Sequence, residues 1–110
     1  MTTLYGTLIA LYLIKKVMSE QIEFYKKLKH RLEETTEFPT KYLYKFIIPA
    51  DDSKMLEIEV IFDHTGAVIE KKTSKTGKYV SLSILVQMAN ADVIIAKYKE
   101  VAKVEGVISL

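Results

Sequence analysis

Along this chain the spacing of apolar residues switches between the three-to-four-residue period of a helix and the two-residue period of a strand. Ile22, Tyr25, Leu28 and Leu32 recur at helical steps, so residues 20–35 read as an amphipathic helix with one apolar stripe. Ser19 is its expected N-cap, and Phe38-Pro39 closes the segment because the residue before a proline is pushed out of helical geometry. Residues 41–48, KYLYKFII, then alternate as a strand, with Tyr44, Phe46 and Ile48 on one face and Leu43, Lys45 and Ile47 on the other. Asp51, Asp52 or Ser53 caps a helix over 53–64 whose buried stripe is Met55, Ile58, Ile61 and Phe62. Gly66 lies where the end of a helix wants a left-handed residue.

Residues 67–73 and 79–88 read as two strands joined by the turn Ser74–Lys78, a hairpin signal. In the second of them Val80, Leu82, Ile84, Val86 and Met88 face a core, while Tyr79, Ser81, Ser83, Leu85 and Gln87 face away from it. Asn90 or Asp92 caps a further helix packed through Val93, Ile94, Tyr98 and Val101, and Gly106 stops it before a last strand, VISL. The order strand, helix, strand, strand, helix, strand predicts an α+β protein: a ferredoxin-like sandwich of one antiparallel four-stranded sheet with two helices on one face, here preceded by an extra N-terminal helix. Residues 1–37 form the N-terminal extension and appended helix, and 38–110 the domain. Every connection is short, so no linker sets off a further domain.

Residues 4–14, LYGTLIALYLI, are nearly all apolar and are followed by Lys15-Lys16. A secretory signal carries its basic residues before the apolar run, and a spanning helix needs roughly 20 apolar residues, so neither reading fits. Two remain: residues 1–17 precede a native start at Met18, or they form an interfacial or partner-binding helix.

The composition, 49% apolar and 27% charged over 110 residues, is that of one globular domain. With no cysteine, disulfides and thiolate chemistry are excluded, which fits a cytoplasmic protein. A net charge of +2 does not imply a polyanionic partner by itself, so neither nucleic acid nor a membrane is the expected one.

The motifs EFPTKYLYKF, TSKTGKYVSLSI and the terminal GVISL together resemble the bacterial YbeD-like proteins (DUF493), a family of unknown function. The resemblance covers about residues 37–110 and rests on Phe38, Pro39, Tyr44, Ser74, Gly77, Tyr79 and Ser81. It implies a ferredoxin-like fold, compared in shape with the small amino-acid-binding ACT domains, and no established catalytic activity. It also implies that the run 1–17 is unusual, since family members generally lack it.

Several chemical readings compete for the hairpin. A phosphate loop needs paired glycines and a following helix, whereas Gly77-Lys78 leads into Tyr79 and a strand. Single-stranded RNA or a phosphate ligand could be held weakly by the basic patch Lys71, Lys72, Lys75 and Lys78, with Tyr79 as the one stacking residue. Lysines at a hairpin also serve to discourage edge-to-edge pairing. An ACT-type ligand loop would carry glycine where this chain has PADDSK, so Asp51 and Asp52 are read as helix caps. His30 with Glu34 has the one-turn spacing of a metal pair but lacks a third ligand, and Ser81 and Ser83 have no base marked in the sequence. No enzyme activity, cofactor or metal is therefore expected. The leading site is the outward sheet face, Leu43, Lys45, Ile47, Tyr79, Ser81, Ser83 and Leu85, which is apolar enough to need cover. That cover would come from the appended helix, from a second copy in a dimer, or from another cytoplasmic protein.

Overall fold

The computed structural model describes residues 2–110, and the chain divides at Thr35–Thr36 into two compact units. The first unit is a single helix, α1 (Thr2–Thr35). The expected start at Ser19 is not there: the helix runs through it without a break. Lys15, Lys16, Val17 and Met18 contain no glycine or proline to end a preceding turn, so a serine in their midst has no frayed end to cap. The helix ends at Thr35, whose Oγ1 donates to the Arg31 carbonyl at 2.7 Å, before the cis Phe38–Pro39 peptide.

The second unit contains β1 (Thr40–Pro49), α2 (Asp52–Ile61), β2 (Val68–Thr73), β3 (Tyr79–Met88), α3 (Ala91–Val101) and β4 (Ile108–Ser109). The strands form one open sheet in the order β2-β3-β1-β4, and every neighbouring pair is antiparallel. The centre of the sheet is the ten-residue ladder of β1 with β3, from Thr40 opposite Met88 to Pro49 opposite Tyr79. Strand alternation then decides the core. Tyr44, Phe46 and Ile48 from β1 are buried, as are Val80, Leu82, Ile84, Val86 and Met88 from β3. Ile58 of α2 and Ile94 and Ile95 of α3 close over them. Burial of each large side chain contributes about 1.5–3 kcal/mol, which is what holds the helices to one face of the sheet.

Two helical stripes differ from the sequence reading. In α3 the buried set is Ala91, Ile94, Ile95 and Val101, while Val93 is exposed and Tyr98 half-buried. The run DVIIA offers two apolar stripes one residue apart, and only the sheet beneath selects between them. In α2 the helix stops at Ile61 instead of 64, with Met55 and Ile61 only half-buried. There the Lys97 ammonium donates to the Ile61 carbonyl at 2.6 Å, and the chain turns through His64 at φ 60° before reaching Gly66. Gly66 does take the left-handed conformation expected of it, at φ 75°, but five residues beyond the end of the helix, and a lysine from α3 satisfies the carbonyl at that end.

The caps are simple. Asn90 Oδ1 accepts from the Val93 amide at 2.9 Å and starts α3. Asp51 caps α2, its Oδ1 accepting from the Ser53 amide at 2.8 Å and the Ser53 hydroxyl at 2.6 Å. These bonds, the hydroxyl first, hold the Asp51 carboxyl below its ordinary range. At the other end of α3, Gly106 adopts φ 82°, and a Cβ there would lie 2.9 Å from Pro49 Cγ. Only glycine lets the chain pass that close to β1 and enter β4.

Candidate functional site

The sheet face away from α2 and α3 follows from the register. In an antiparallel ladder directly opposite residues project to the same side, so each cross-strand row can be read from the pairing. One row is Val68, Leu85 and Leu43, running across β2, β3 and β1. The next is Glu70, Ser83 and Lys45, and the third is Lys72, Ser81, Ile47 and Ile108. Tyr79 stands opposite Pro49 beyond the third row. Leu43, Leu85, Val68, Ile108 and Tyr79 keep 48, 39, 60, 53 and 49% of their surface exposed. Two apolar bands are therefore open on this face, with a polar row between them.

Around the polar row lies a depression of about 500 Å³, lined by Lys45, Glu70, Lys72, Ser81, Ser83 and Leu110 among others. The Leu110 amide donates to the Lys45 carbonyl at 2.9 Å and carries the edge of β4 to this point. The register puts all seven residues expected on the face on this side of the sheet, and three of them, Lys45, Ser81 and Ser83, line the depression. The register adds four that the sequence reading lacked: Val68, Glu70, Lys72 and Ile108. Strict alternation in residues 67–73 marks Val68, Glu70 and Lys72 as one side of a strand, but not which side.

The lysines of the hairpin do not share a face. Lys71 lies on the helix side of β2, where its ammonium is ion-paired with Glu59 of α2, whereas Lys72 lies on the open side. Lys75 and Lys78 are exposed at the turn and after it. That turn is built from backbone: the Gly77 amide donates to Ser74 O at 3.0 Å, and Ser74 and Tyr79 bond through the Ser74 amide at 2.8 Å. The Ser74 hydroxyl accepts from the Tyr79 amide at 3.1 Å, and Gly77 takes φ 74°, a conformation other residues resist. The Ser74, Gly77 and Tyr79 amides are committed to closing the hairpin. Tyr79 is the one aromatic among the outward residues of β1 and β3, so base stacking on this face has a single platform.

Under the sheet the aromatic chemistry is denser. The Tyr44 hydroxyl donates to the Ile94 carbonyl at 2.9 Å, and the Tyr42 and Tyr98 hydroxyls are 2.6 Å apart. The Tyr44 ring stacks on Phe46 at 5.7 Å and meets Tyr98 edge-on at 4.8 Å. Burial pushes the phenols of Tyr44 and Tyr98 well above their ordinary value, and the bond to Tyr42 adds to the effect at Tyr98. This cluster ties α3 to the covered side of β1.

Residues 33–110 match the profile of the family described as Protein of unknown function (DUF493). The chain belongs to the DUF493 family. The match takes in the end of α1 and the whole β-sheet unit, including every residue of the open face. No curated protein and no solved structure matches the chain. Elsewhere, His30 Nε2 lies 2.8 Å from Glu34 Oε1 on α1. Among the described residues no three His, Cys, Asp or Glu side chains stand together as a metal site, and no helix is long and apolar enough to cross a membrane.

Proposed function

We propose that this DUF493 domain is a cytoplasmic, non-enzymatic protein-interaction or regulatory module that works through its open sheet face. The observation that carries this reading is the pair of exposed apolar bands, Val68–Leu85–Leu43 and Ile47–Ile108, on a face with no helix of the β-sheet unit over it. Exposed apolar groups in contiguous rows lower their free energy when a partner surface removes them from water. The polar row between the bands, Glu70, Ser83 and Lys45, supplies charges that would fix the partner's register. The architecture is read as the ferredoxin-like sandwich, and the sheet order β2-β3-β1-β4 with two crossover helices supports it.

A photo-crosslinking residue at Leu85 tests the proposal in cells. The expected result is a discrete crosslinked protein that disappears when Leu43→Glu is added and is absent when the same residue replaces Val60 on the opposite layer. No crosslink at position 85, or one indifferent to Leu43→Glu, overturns it.

The second reading, weak binding of single-stranded RNA or a phosphate ligand, draws on the exposed Lys72, Lys75 and Lys78 beside Tyr79. A gel-shift titration from low to high salt separates the two, because phosphate contacts are strongest at low salt. Binding lost in Tyr79→Ala and Lys78→Ala would favour the nucleic acid, and its absence at low salt removes it.

A further inference from the structure

The helix α1 carries a pattern that the open sheet face does not explain. From Leu11 the alternating steps of three and four pass through Ile14, Met18, Tyr25 and Leu28 to Leu32, with Gln21 as the one polar member. That is a heptad stripe sustained over three repeats, the period that keeps one face of a helix against a partner helix along its length. The opposite side, from Lys16 on, is charged at Lys16, Glu20, Glu23, Lys27 and Glu34. Tyr25 and Leu28 are half-buried and Leu32 is buried, so the free part of the stripe is the N-terminal portion. There Leu8, Leu11, Ile14, Met18 and Ile22 are each more than half exposed.

We infer that α1 is a homodimerisation helix, pairing with α1 of a second copy of this chain through the stripe centred on Met18. Three observations select that occupant. Heptad spacing is self-complementary, since a and d residues of one copy fit the holes between those of another. The free stripe is confined to Leu8–Ile22, so a second copy aligned in parallel about a two-fold axis along the helices sets the same exposed residues against one another. Covering these five side chains removes on the order of 500 Å² per copy, about 1,000 Å² for the pair, which reaches the lower bound of a specific interface.

Charge separates this occupant from a lipid surface. A helix that lies on an anionic membrane has a Lys- and Arg-rich polar face. Here the polar side is mixed, with Glu20, Glu23, Glu33 and Glu34 set among the six Lys and Arg side chains between Lys15 and Arg31, and part of that charge is paired within the helix: Lys26 with Glu23 at 3.9 Å and Lys29 with Glu33 at 3.8 Å.

The chain has no cysteine, so a single introduced thiol reports contact directly. In the full chain Met18→Cys is expected to form a disulfide-linked dimer under mild oxidation at micromolar concentration, while Glu23→Cys on the charged side stays monomeric. Light scattering on the unmodified chain is expected to give about twice 12.6 kDa, falling to the monomer mass in Met18→Lys with Ile22→Lys while the sheet's unfolding transition is unchanged. The variant Leu43→Glu with Leu85→Glu is expected to remain dimeric, which keeps this inference separate from the role of the sheet face. A monomeric wild type, equal crosslinking at positions 18 and 23, a dimer lost only in the sheet variant, or a monomer that floats with phosphatidylglycerol vesicles would each overturn it.

Discussion

The two faces of the sheet are made from the same strands and the same alternation, yet they are governed by different physics. On the covered face, Tyr44, Phe46 and Ile48 alternate with nothing polar except hydroxyls that have partners, and every ring touches another. On the open face the intervening residues, Leu43, Lys45 and Ile47, mix apolar and charged groups and remain at least partly in water. A one-residue step along β1 moves a side chain from a site where its volume is specified by close packing to one that faces water. The largest test of that contrast is a pair of truncations. Phe46→Ala is expected to destabilise the domain by about 3–5 kcal/mol in urea unfolding, and Leu43→Ala, three residues away, by no more than about 0.5 kcal/mol. Comparable losses at both positions would mean that the open face is part of the folding core.

The same contrast explains what could be read from the amino acids alone. β3 was legible to the residue, because Tyr79–Met88 has unbroken alternation between a glycine turn and the Asn90 cap. The seven outward residues of β1 and β3 were legible for the same reason. Val68 and Ile108 were not, because both belong to edge strands and their place depends on register against a neighbour. The ends of helices failed where a distant group took over a local role, as Lys97 does at Ile61. The position of Ser19 misled because a capping residue type is evidence of a helix start only when something before it ends a helix.

Alkaline titration sharpens the comparison through ionisation. Tyr44 and Tyr98 have folded-state pKa values raised above the ordinary phenol value of about 10, so the folded state holds protons that the unfolded chain releases. Their contribution is fully present below pH ~10 and is lost as the pH rises beyond it. Tyrosinate absorbance from these two residues is expected to appear together with loss of the folded circular dichroism signal. Ionisation of Tyr44 and Tyr98 in a still-folded domain would mean that their burial does not oppose the loss of the proton.

A smaller effect isolates one hydroxyl. Tyr44→Phe keeps the ring between Phe46 and Tyr98 and removes only the bond to the Ile94 carbonyl, so a loss of about 0.5–1.5 kcal/mol in urea unfolding is expected. A loss several-fold larger would mean that the ring moves when its hydroxyl has no acceptor, and that the hydrogen bond positions the cluster in addition to satisfying it.

The smallest expected difference comes from two neighbouring lysines. Lys71 and Lys72 are chemically the same and adjacent in the chain, but the strand sends Lys71 to Glu59 on α2 and Lys72 to the row of Ser81 and Ile47. The Lys71–Glu59 pair is partly exposed, so Lys71→Met is expected to cost about 0.2–1 kcal/mol, with the cost shrinking as salt is added. Lys72→Met is expected to leave stability unchanged and to alter only what the open face binds. Because the two substitutions are identical in composition and net charge, any difference between them must come from the side of the sheet. A salt-dependent loss in Lys72→Met equal to that in Lys71→Met would mean that both lysines act through the general field of the hairpin and that strand alternation does not divide their roles.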